Sequence, residues 1–306
     1  MARGPRERTA ADGIVVVDKP AGMTSHDVVS RMRRHVGSRK VGHAGTLDPM
    51  ATGVLIIGVE RATRLLGHLM LTDKTYTATI RLGVATHTDD AEGEVLAIAD
   101  ASGVTDAAVH SAVAALTGEI MQRPSSVSAI KVDGVRSYDR VRSGQEVVLD
   151  ERPATVSRFD IKMIRRGEQI IDLDVIVDCS AGTYIRALAR DLGASLGVGG
   201  HLTALRRTRV GAFTIDQALT LDELEETRSG GGEVIMPLAQ VVAATFPVVS
   251  VDADTATQVL RGTRIPVEPG AQIQGGGVVG LFTSDGRVLS IAEPRDGVYA
   301  HLVVFS

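Results

Sequence analysis

Two segments of the chain alternate apolar and polar side chains with a period of two, and this pattern requires a sheet. In residues 75–82 the apolar positions are Tyr76, Ala78, Ile80 and Leu82. In residues 171–178 aliphatic side chains alternate with mostly acidic ones. Successive side chains of a strand point to opposite faces, so each segment is predicted to bury one face and expose the other. Residues 13–18 and 54–59 are short aliphatic runs typical of buried strands.

Three segments have the periodicity of amphipathic helices. The first follows Thr24, and Asp27 stands at the position that completes a capping box with that threonine. The other two are residues 105–116 and 184–196, and Gly197 is suited to end the last of them.

Residues 229–232, Ser-Gly-Gly-Gly, have the composition of a flexible linker. Short strand patterns follow, with a hairpin signal at 284–286. The predicted fold class is α+β, a mixed or antiparallel sheet with flanking helices plus a small β-rich C-terminal domain. The predicted divisions are a flexible tail at 1–12, a main domain at 13–232 with a polar and basic excursion at 121–144, and a C-terminal domain at 233–306.

Composition limits the compartment in which the chain is expected to act. The 306 residues include one cysteine, so no intramolecular disulfide is possible, as is typical of reducing compartments. The N-terminal segment lacks the apolar run of a secretory signal, and no apolar run is long enough to cross a bilayer. We therefore expect a cytoplasmic protein without a membrane partner.

The formal net charge is −4, which by itself argues against a nucleic-acid partner. Basic residues are nevertheless concentrated in three places, and their distribution matters more than the net value. The first, second and third basic clusters are Arg31, Arg33, Arg34, Arg39 and Lys40; Arg206, Arg207 and Arg209; and Arg158, Lys162, Arg165 and Arg166. Any one of them is compatible with ordinary solvated surface, whereas three together favour a polyanionic partner.

The chain lacks the signatures of several cofactor-dependent enzymes. It has no Gly-x-x-x-x-Gly-Lys-Ser/Thr loop, no Gly-x-Gly-x-x-Gly after a strand, no paired-cysteine motif and no His-Glu-x-x-His. The acidic residues of 86–94 match no cation-binding loop, and we predict a solvated hairpin turn there. These observations favour a reaction that uses protein side chains alone, with no cofactor and no metal ion.

Residues 42–53, Gly-His-Ala-Gly-Thr-Leu-Asp-Pro-Met-Ala-Thr-Gly, surround a single carboxylate, Asp48, with small side chains. Such residues let a bulky ligand approach the backbone closely. An isolated Asp-Pro pair is more typical of a β-turn in which the aspartate bonds its own backbone.

This segment resembles the signature of the bacterial tRNA pseudouridine-55 synthases, the TruB family. Four further segments resemble motifs of that family and follow in its order, at residues 19–25, 74–76, 179–186 and 200–207. The resemblance extends over roughly residues 13–215. The C-terminal region resembles the family's small PUA-like RNA-binding module more weakly.

The resemblance implies that the chain isomerises uridine 55 in the T loop of tRNA to pseudouridine, without a cofactor, on a base that has left its stack. It implies that Asp48 is the nucleophile, that Arg186 keeps Asp48 charged, and that Tyr76 stacks on the base and assists removal of the C5 proton. It assigns substrate binding to His43, Tyr184 and Leu205. Lys19 and Lys74 are further candidates for this set, and they would either contact phosphate or support the loop. His43 would fill the space that the base vacates, and Tyr184 and Leu205 would line the base pocket.

Several points stay open from the sequence. The alternative function is an RNA-binding or tRNA-folding module in which catalysis is secondary, and a third is a uridine isomerase that acts on ribosomal RNA. The intact set Asp48, Tyr76 and Arg186 favours the enzyme, because a pure binder has no need of a carboxylate facing a polyanion. A covalent ribose adduct, a base adduct and a glycal route are all compatible with one aspartate. We expect a monomer that binds the T stem-loop, with residues 121–144 closing over the RNA.

Overall fold

The computed structural model describes residues 11–125, 131–132, 135–136, 149–267 and 277–306. The predicted tail at 1–12 lies outside the described residues except for its last two positions. Most of the predicted excursion at 121–144 also lies outside them.

The described part of the chain contains strands β1–β19 and helices α1–α7. In chain order the strands are Gly13–Lys19, Val41–Ala44, Thr52–Val59, Lys74–Leu82, Val84–Thr86, Val95–Ile98, Gly118–Gln122, Lys131–Val132, Val135–Arg136, Arg152–Arg166, Ile171–Cys179, Gly200–Val210, Phe213–Thr214, Met236–Pro237, Val248–Val251, Ile265–Pro266, Val279–Thr283, Val288–Arg295 and Val298–Val304. The helices are Ser25–His35, Leu66–Met70, Asp106–Ala115, Ile185–Ser195, Leu221–Ser229, Leu238–Thr245 and Ala253–Leu260, and 3₁₀ turns lie at Glu60–Leu65 and Ile215–Gln217.

The first sheet is mixed and has the order β14-β1-β3-β12-β4-β11-β10-β7, with β2 paired to β3 and β13 to β12. β3 and β12 run parallel, whereas β4 is antiparallel to both of its neighbours. β4 and β11 pair along their full length, from Lys74 opposite Cys179 to Leu82 opposite Ile171. The two alternating segments are therefore neighbours, and the predicted α+β fold with a mixed sheet is confirmed.

Helices cover the first sheet with the faces that their periodicity predicts. Val28, Val29 and Met32 of α1 pack on β1 and β3, and the apolar side of α4 packs on β4, β11 and β12 together with α3. The predicted capping box of α1 is present, since the Thr24 side chain accepts from Asp27 N and the Asp27 carboxylate accepts from Thr24 N. Each helix thereby buries its stripe and begins at a defined residue.

A second sheet, of order β15-β17-β18-β19-β16, follows in the C-terminal region. Before entering it, the chain pairs β14 with β1 of the first sheet. The two sheets also share a hydrophobic cluster, in which Phe282, Val288 and Ile291 lie with Ile14 and Val54. The C-terminal sheet is thus packed against the first sheet.

Candidate active site

The Asp48 loop, residues 45–51, connects the antiparallel strands β2 and β3. It begins at Gly45, whose φ is +80°, and is followed by Gly53, whose φ is +98°. A Cβ atom at Gly53 would lie 2.2 Å from the carbonyl oxygen of Arg207 on β12. Glycine is required there because β12 approaches the backbone closely and because positive φ is unfavourable for other residues. The parallel β3–β12 pair thus fixes where the loop ends.

The first turn of α1 holds the Asp48 loop through Ser25, which is buried. The Ser25 hydroxyl accepts from Leu47 N at 2.8 Å and donates to Leu47 O at 3.2 Å. The backbone beside Asp48 is therefore bonded to the helix that the capping box begins.

Lys19, at the end of β1, is fully buried and holds the same loop from the other side. Its ammonium donates to the carbonyl oxygens of Pro20, Met23 and Pro49 at 2.8, 2.6 and 3.2 Å. Burial lowers the pKa of Lys19 to about 8, and the negative charge of Asp48 opposes that effect. The three bonds direct this lysine to the backbone of the protein itself.

Arg186 joins the Asp48 loop to the β5–β6 hairpin. It lies in the first turn of α4, and its side chain is 4% exposed. Its Nε is 3.0 Å from Asp48 Oδ2, and its Nη1 is 3.4 Å from Asp90 Oδ2 and donates to Thr88 O at 2.7 Å. One buried guanidinium therefore faces two carboxylates and fixes the position of Asp48.

The prediction of a solvated turn at 86–94 is wrong for Asp89 and Asp90, which are 8% and 3% exposed. Asp90 faces Arg186, and Asp89 lies 3.3 Å from Nη1 of Arg190 on the same helix. Burial raises the pKa of Asp89, whereas Arg190 and Arg186 lower it. The local acidic pattern contains no sign of this burial, because Arg190 is 101 residues away from Asp89 in the chain.

Tyr76 on β4 and Leu205 on β12 form an apolar wall beside the charged groups. Both belong to the hydrophobic cluster that contains Leu47 of the Asp48 loop and Ile185, the neighbour of Arg186. Burial raises the pKa of Tyr76. The loop, the strand and the helix that carry the three predicted catalytic residues therefore meet at one place.

His43 and Tyr184 lie on the segments that frame this place. His43 is on β2, opposite Ile57 of β3, and is partly buried. Tyr184 immediately precedes α4; its N–H donates to the Gln122 side chain at 2.8 Å, and its carbonyl accepts from the same side chain at 3.0 Å. Gln122, at the end of β7, thereby fixes the backbone at the start of α4, next to Arg186. Nothing in the amino-acid sequence around Gln122 indicates this role.

Lys74 begins β4 and is buried. Its ammonium donates to the carbonyl oxygens of Met70 and Thr72, and burial lowers its pKa to about 8. Like Lys19, it bonds backbone carbonyls, which agrees with loop support more than with phosphate contact.

The three basic clusters differ in how their charges are neutralised. In the second cluster Arg207 is 1% exposed, so the prediction that it contacts a polyanion is wrong, and Arg206 pairs with Asp18 at 2.6 Å. Within the described residues, the members of the third cluster form ion pairs with acids of the chain. In the first cluster Arg31, Arg34, Arg39 and Lys40 are exposed and have no ion pair with any described residue.

Across the part of the chain that the structure covers, no group of three or more His, Cys, Asp or Glu side chains is arranged to hold a metal ion. Among the same residues, no helix is long and apolar enough to span a bilayer.

Comparison with known sequences decides the family. The sequence model described as "TruB family pseudouridylate synthase (N terminal domain)" matches residues 33–185, and that of the "tRNA pseudouridylate synthase B C-terminal domain" matches residues 186–243. The chain belongs to the TruB family of pseudouridine synthases. The resemblance found in the motifs is thereby confirmed over residues 33–243, which include the start of the C-terminal region.

Relatives of this TruB-family chain are similar over almost their entire length. The tRNA pseudouridine synthase B of Thermobifida fusca is 57% identical over 300 residues, covering 97% of this chain and 99% of the relative. That of Streptomyces griseus is 54% identical over 307 residues, covering 98% of this chain and 99% of the relative. Among solved structures, a Cbf5-Nop10-Gar1 complex has a chain with a TM-score of 0.72 and 28% identity, covering 99% of this chain and 87% of that one. An H/ACA RNP bound to a substrate RNA containing 2′-deoxyuridine has a chain with a TM-score of 0.72 and 26% identity, covering 96% of this chain and 85% of that one.

Proposed function

We propose that this TruB-family enzyme converts uridine 55 in the T loop of tRNA into pseudouridine, with Asp48 as the nucleophile. The observation that carries the proposal is the Asp48 carboxylate held 3.0 Å from the buried Arg186 guanidinium, beside an apolar wall that contains Tyr76. The relatives named tRNA pseudouridine synthase B support tRNA as the substrate.

The reaction breaks the bond from ribose C1′ to uracil N1, turns the base and joins C1′ to C5. One carboxylate serves this chemistry either by covalent attack or by removing a sugar proton. Arg186 orients the carboxylate and balances its charge, and its own position depends on Asp90. No step requires a cofactor.

The base has to leave the stacked T loop before Asp48 can reach it. Tyr76 packs on the extruded ring and assists loss of the C5 proton, while Leu205 and Tyr184 line the pocket. His43 occupies the space that the base leaves. Lys19 and Lys74 act indirectly: Lys19 holds the Asp48 loop, and Lys74 holds the segment that leads into β4, the strand of Tyr76.

The wider assignments belong to the same proposal. Catalysis resides in residues 13–232, and residues 233–306 add RNA contacts. The enzyme acts as a monomer on the T stem-loop, in the cytoplasm. Phosphate contacts set the register of the RNA without reading its sequence.

The test is the Asp48→Asn variant with T stem-loop RNA tritiated at uridine C5. We expect label release to fall by at least about 1,000-fold, because the amide cannot act as a nucleophile, while the RNA dissociation constant stays within about threefold. Asp254→Asn, on the surface of α7, is the matched control and should keep wild-type activity.

Release at the wild-type rate by Asp48→Asn would exclude Asp48 as the nucleophile. A wild-type protein that binds the stem-loop but forms no pseudouridine in it would instead favour the RNA-binding module. Activity on ribosomal RNA alone would favour the third function.

A further inference from the structure

Arg207 is a buried cation for which the described residues provide no carboxylate partner. Its side chain is 1% exposed, and it is among the largest fully buried side chains. The ion pairs on this part of β12 are formed by its neighbours Arg206 and Arg209 instead. A charged group that is removed from water without a counter-ion is unfavourable for stability. The contacts that Arg207 does make therefore indicate why it is there.

Two of those contacts reach the start of the Asp48 loop and the strand that follows it. Nε donates to the carbonyl oxygen of Val54 on β3 at 2.8 Å, and Nη2 donates to the carbonyl oxygen of Gly45 at 3.0 Å. A Cβ atom at Gly45 would lie 3.3 Å from Nη1. The guanidinium thus fills the space that glycine leaves at the start of the loop.

Arg207 is also the cross-strand neighbour of Tyr76. Arg207 stands directly opposite Tyr76 in the β12–β4 pairing. Burial raises the pKa of Tyr76, and the Arg207 guanidinium opposes that rise by its charge and by hydrogen bonding. The other ionisable groups that face the phenol are Cys179 from β11 and Asp48 from its loop, and both raise its pKa. Arg207 is the group near Tyr76 that favours the phenolate.

We propose that Arg207 is a positioning residue that holds the Tyr76 hydroxyl, the start of the Asp48 loop and the strand that follows this loop in one fixed geometry. The proposal rests on the roles assigned above to Asp48 and Tyr76. A guanidinium can only donate hydrogen bonds, so the phenol oxygen is the acceptor in the contact proposed here. Once the phenol has lost its proton to solvent, the phenolate takes the C5 proton, the C–H electron pair stays in the uracil ring, and the neutral phenol is restored. The positive charge of Arg207 stabilises the phenolate before that transfer.

The kinetic test compares Arg207→Met and Arg207→Lys, each alone and combined with Tyr76→Phe. The measurement is the single-turnover rate of pseudouridine formation with saturating T stem-loop RNA. We expect Arg207→Met to lower the rate about 100-fold relative to wild type, the scale of a proton-transfer contribution. Arg207→Lys keeps the positive charge, so its rate should be about tenfold higher than that of Arg207→Met. In a protein that already carries Tyr76→Phe, adding Arg207→Met should lower the rate only about threefold, because the effects of mutating two coupled residues do not add.

The control is Arg81→Met, which removes an arginine of β4 that pairs with Asp172 at the far end of the strand. Its rate should stay near that of the wild type. Equal losses with and without the Tyr76→Phe change, or equal rates for Arg207→Lys and Arg207→Met, would overturn the proposal. If Arg207→Met does not fold, or if Tyr76→Phe has no measurable rate, the rate of Arg207→Lys is compared with that of the wild type. A rate equal to that of the wild type would then overturn the proposal.

A second measurement needs no RNA and therefore separates this proposal from the proposed function. The chain has four tyrosines and no tryptophan, so 19F spectra of protein labelled with fluorotyrosine contain few resonances, and Tyr76→Phe assigns one of them. Its ionisation midpoint should lie at higher pH in Arg207→Met than in the wild type and stay unchanged in Arg81→Met. No difference between Arg207→Met and the wild type would contradict the contact itself.

Discussion

Arg186 is the residue on which the geometry of the candidate active site depends most directly. Because Arg186 faces both Asp48 and Asp90, a change at Asp90 should disturb the position of the Asp48 carboxylate without altering Asp48 itself. We expect Asp90→Asn to lower the single-turnover rate by at least about tenfold and the free energy of unfolding by about 1–3 kcal/mol, since it weakens a buried, hydrogen-bonded ion pair. RNA affinity should change little. The measurements are pseudouridine formation and denaturant unfolding.

Asp89→Asn provides the matched control for that prediction. Asp89 is the adjacent buried aspartate, but its carboxylate accepts from Ser125 at 2.7 Å and pairs with Arg190 rather than with Arg186. Its loss should lower stability by a similar amount while the rate stays within about threefold of wild type. Similar rates for the two variants would show that orientation of Arg186 is not what limits the reaction.

The sequence predicts some residues of the candidate active site and misses others, for a physical reason. Resemblance to family motifs identifies Asp48, Tyr76 and Arg186, and they do lie together. For Asp90 and Arg207 the sequence alone predicts solvated positions, because a charged residue gives no local sign of burial when its partners are distant in the chain. Arg207 contacts a carbonyl 162 residues away.

Among the secondary-structure elements, the β1–α1 connection depends on Lys19. Lys19 bonds three carbonyl oxygens there and at Pro49, so Lys19→Met should lower the free energy of unfolding by about 2 kcal/mol at pH 7, as expected for hydrogen bonds from a charged donor. The rate of pseudouridine formation should also fall, because the Asp48 loop loses a support. Lys40→Met, at an exposed lysine, is the control and should leave stability unchanged.

The same lysine predicts a pH dependence of stability. Its pKa is about 8 in the folded chain, against an ordinary value of 10.5. Between these values the unfolded chain binds more protons, so Lys19 makes the free energy of unfolding rise with pH from about 8 to 10.5. Urea unfolding across that range should show this rise in the wild type and a smaller one in Lys19→Met. Parallel curves for the two proteins would contradict the assigned burial.

Elements with strong local patterns are predicted well. The alternation at 75–82 and 171–178 corresponds to β4 and β11, and the Thr24 capping box begins α1 where expected. The parallel β3–β12 pair is not predicted, because pairing between strands so distant in sequence depends on the whole fold. That pair is nevertheless what places Gly53 and Arg207 together.

At the scale of the whole molecule, the charge that is free to meet RNA differs from the charge visible in the sequence. The second and third basic clusters are largely neutralised by acids of the chain or buried. The first cluster lies at the end of α1 and just before β2, the strand that carries His43. Lys40 and His43 are three positions apart, about 10 Å along a strand. Unneutralised positive charge therefore lies close to the candidate active site even though the chain is acidic overall.

This arrangement predicts how the affinity for tRNA depends on salt. Each phosphate contact contributes about −0.7 to −0.9 to the slope of log affinity against log salt concentration. Replacing Arg31, Arg34, Arg39 and Lys40 together by glutamine should therefore reduce the steepness of the slope by as much as about 3 and weaken binding at low salt. The control replaces Arg158, Lys162, Arg165 and Arg166 by glutamine; it removes the same number of cations, but these are already paired with acids, so its slope should remain near that of the wild type. The slopes are measured by titration of labelled tRNA. Equal slopes for the two quadruple variants would mean that the RNA does not distinguish paired from unpaired charge and that the first cluster has no special part in binding.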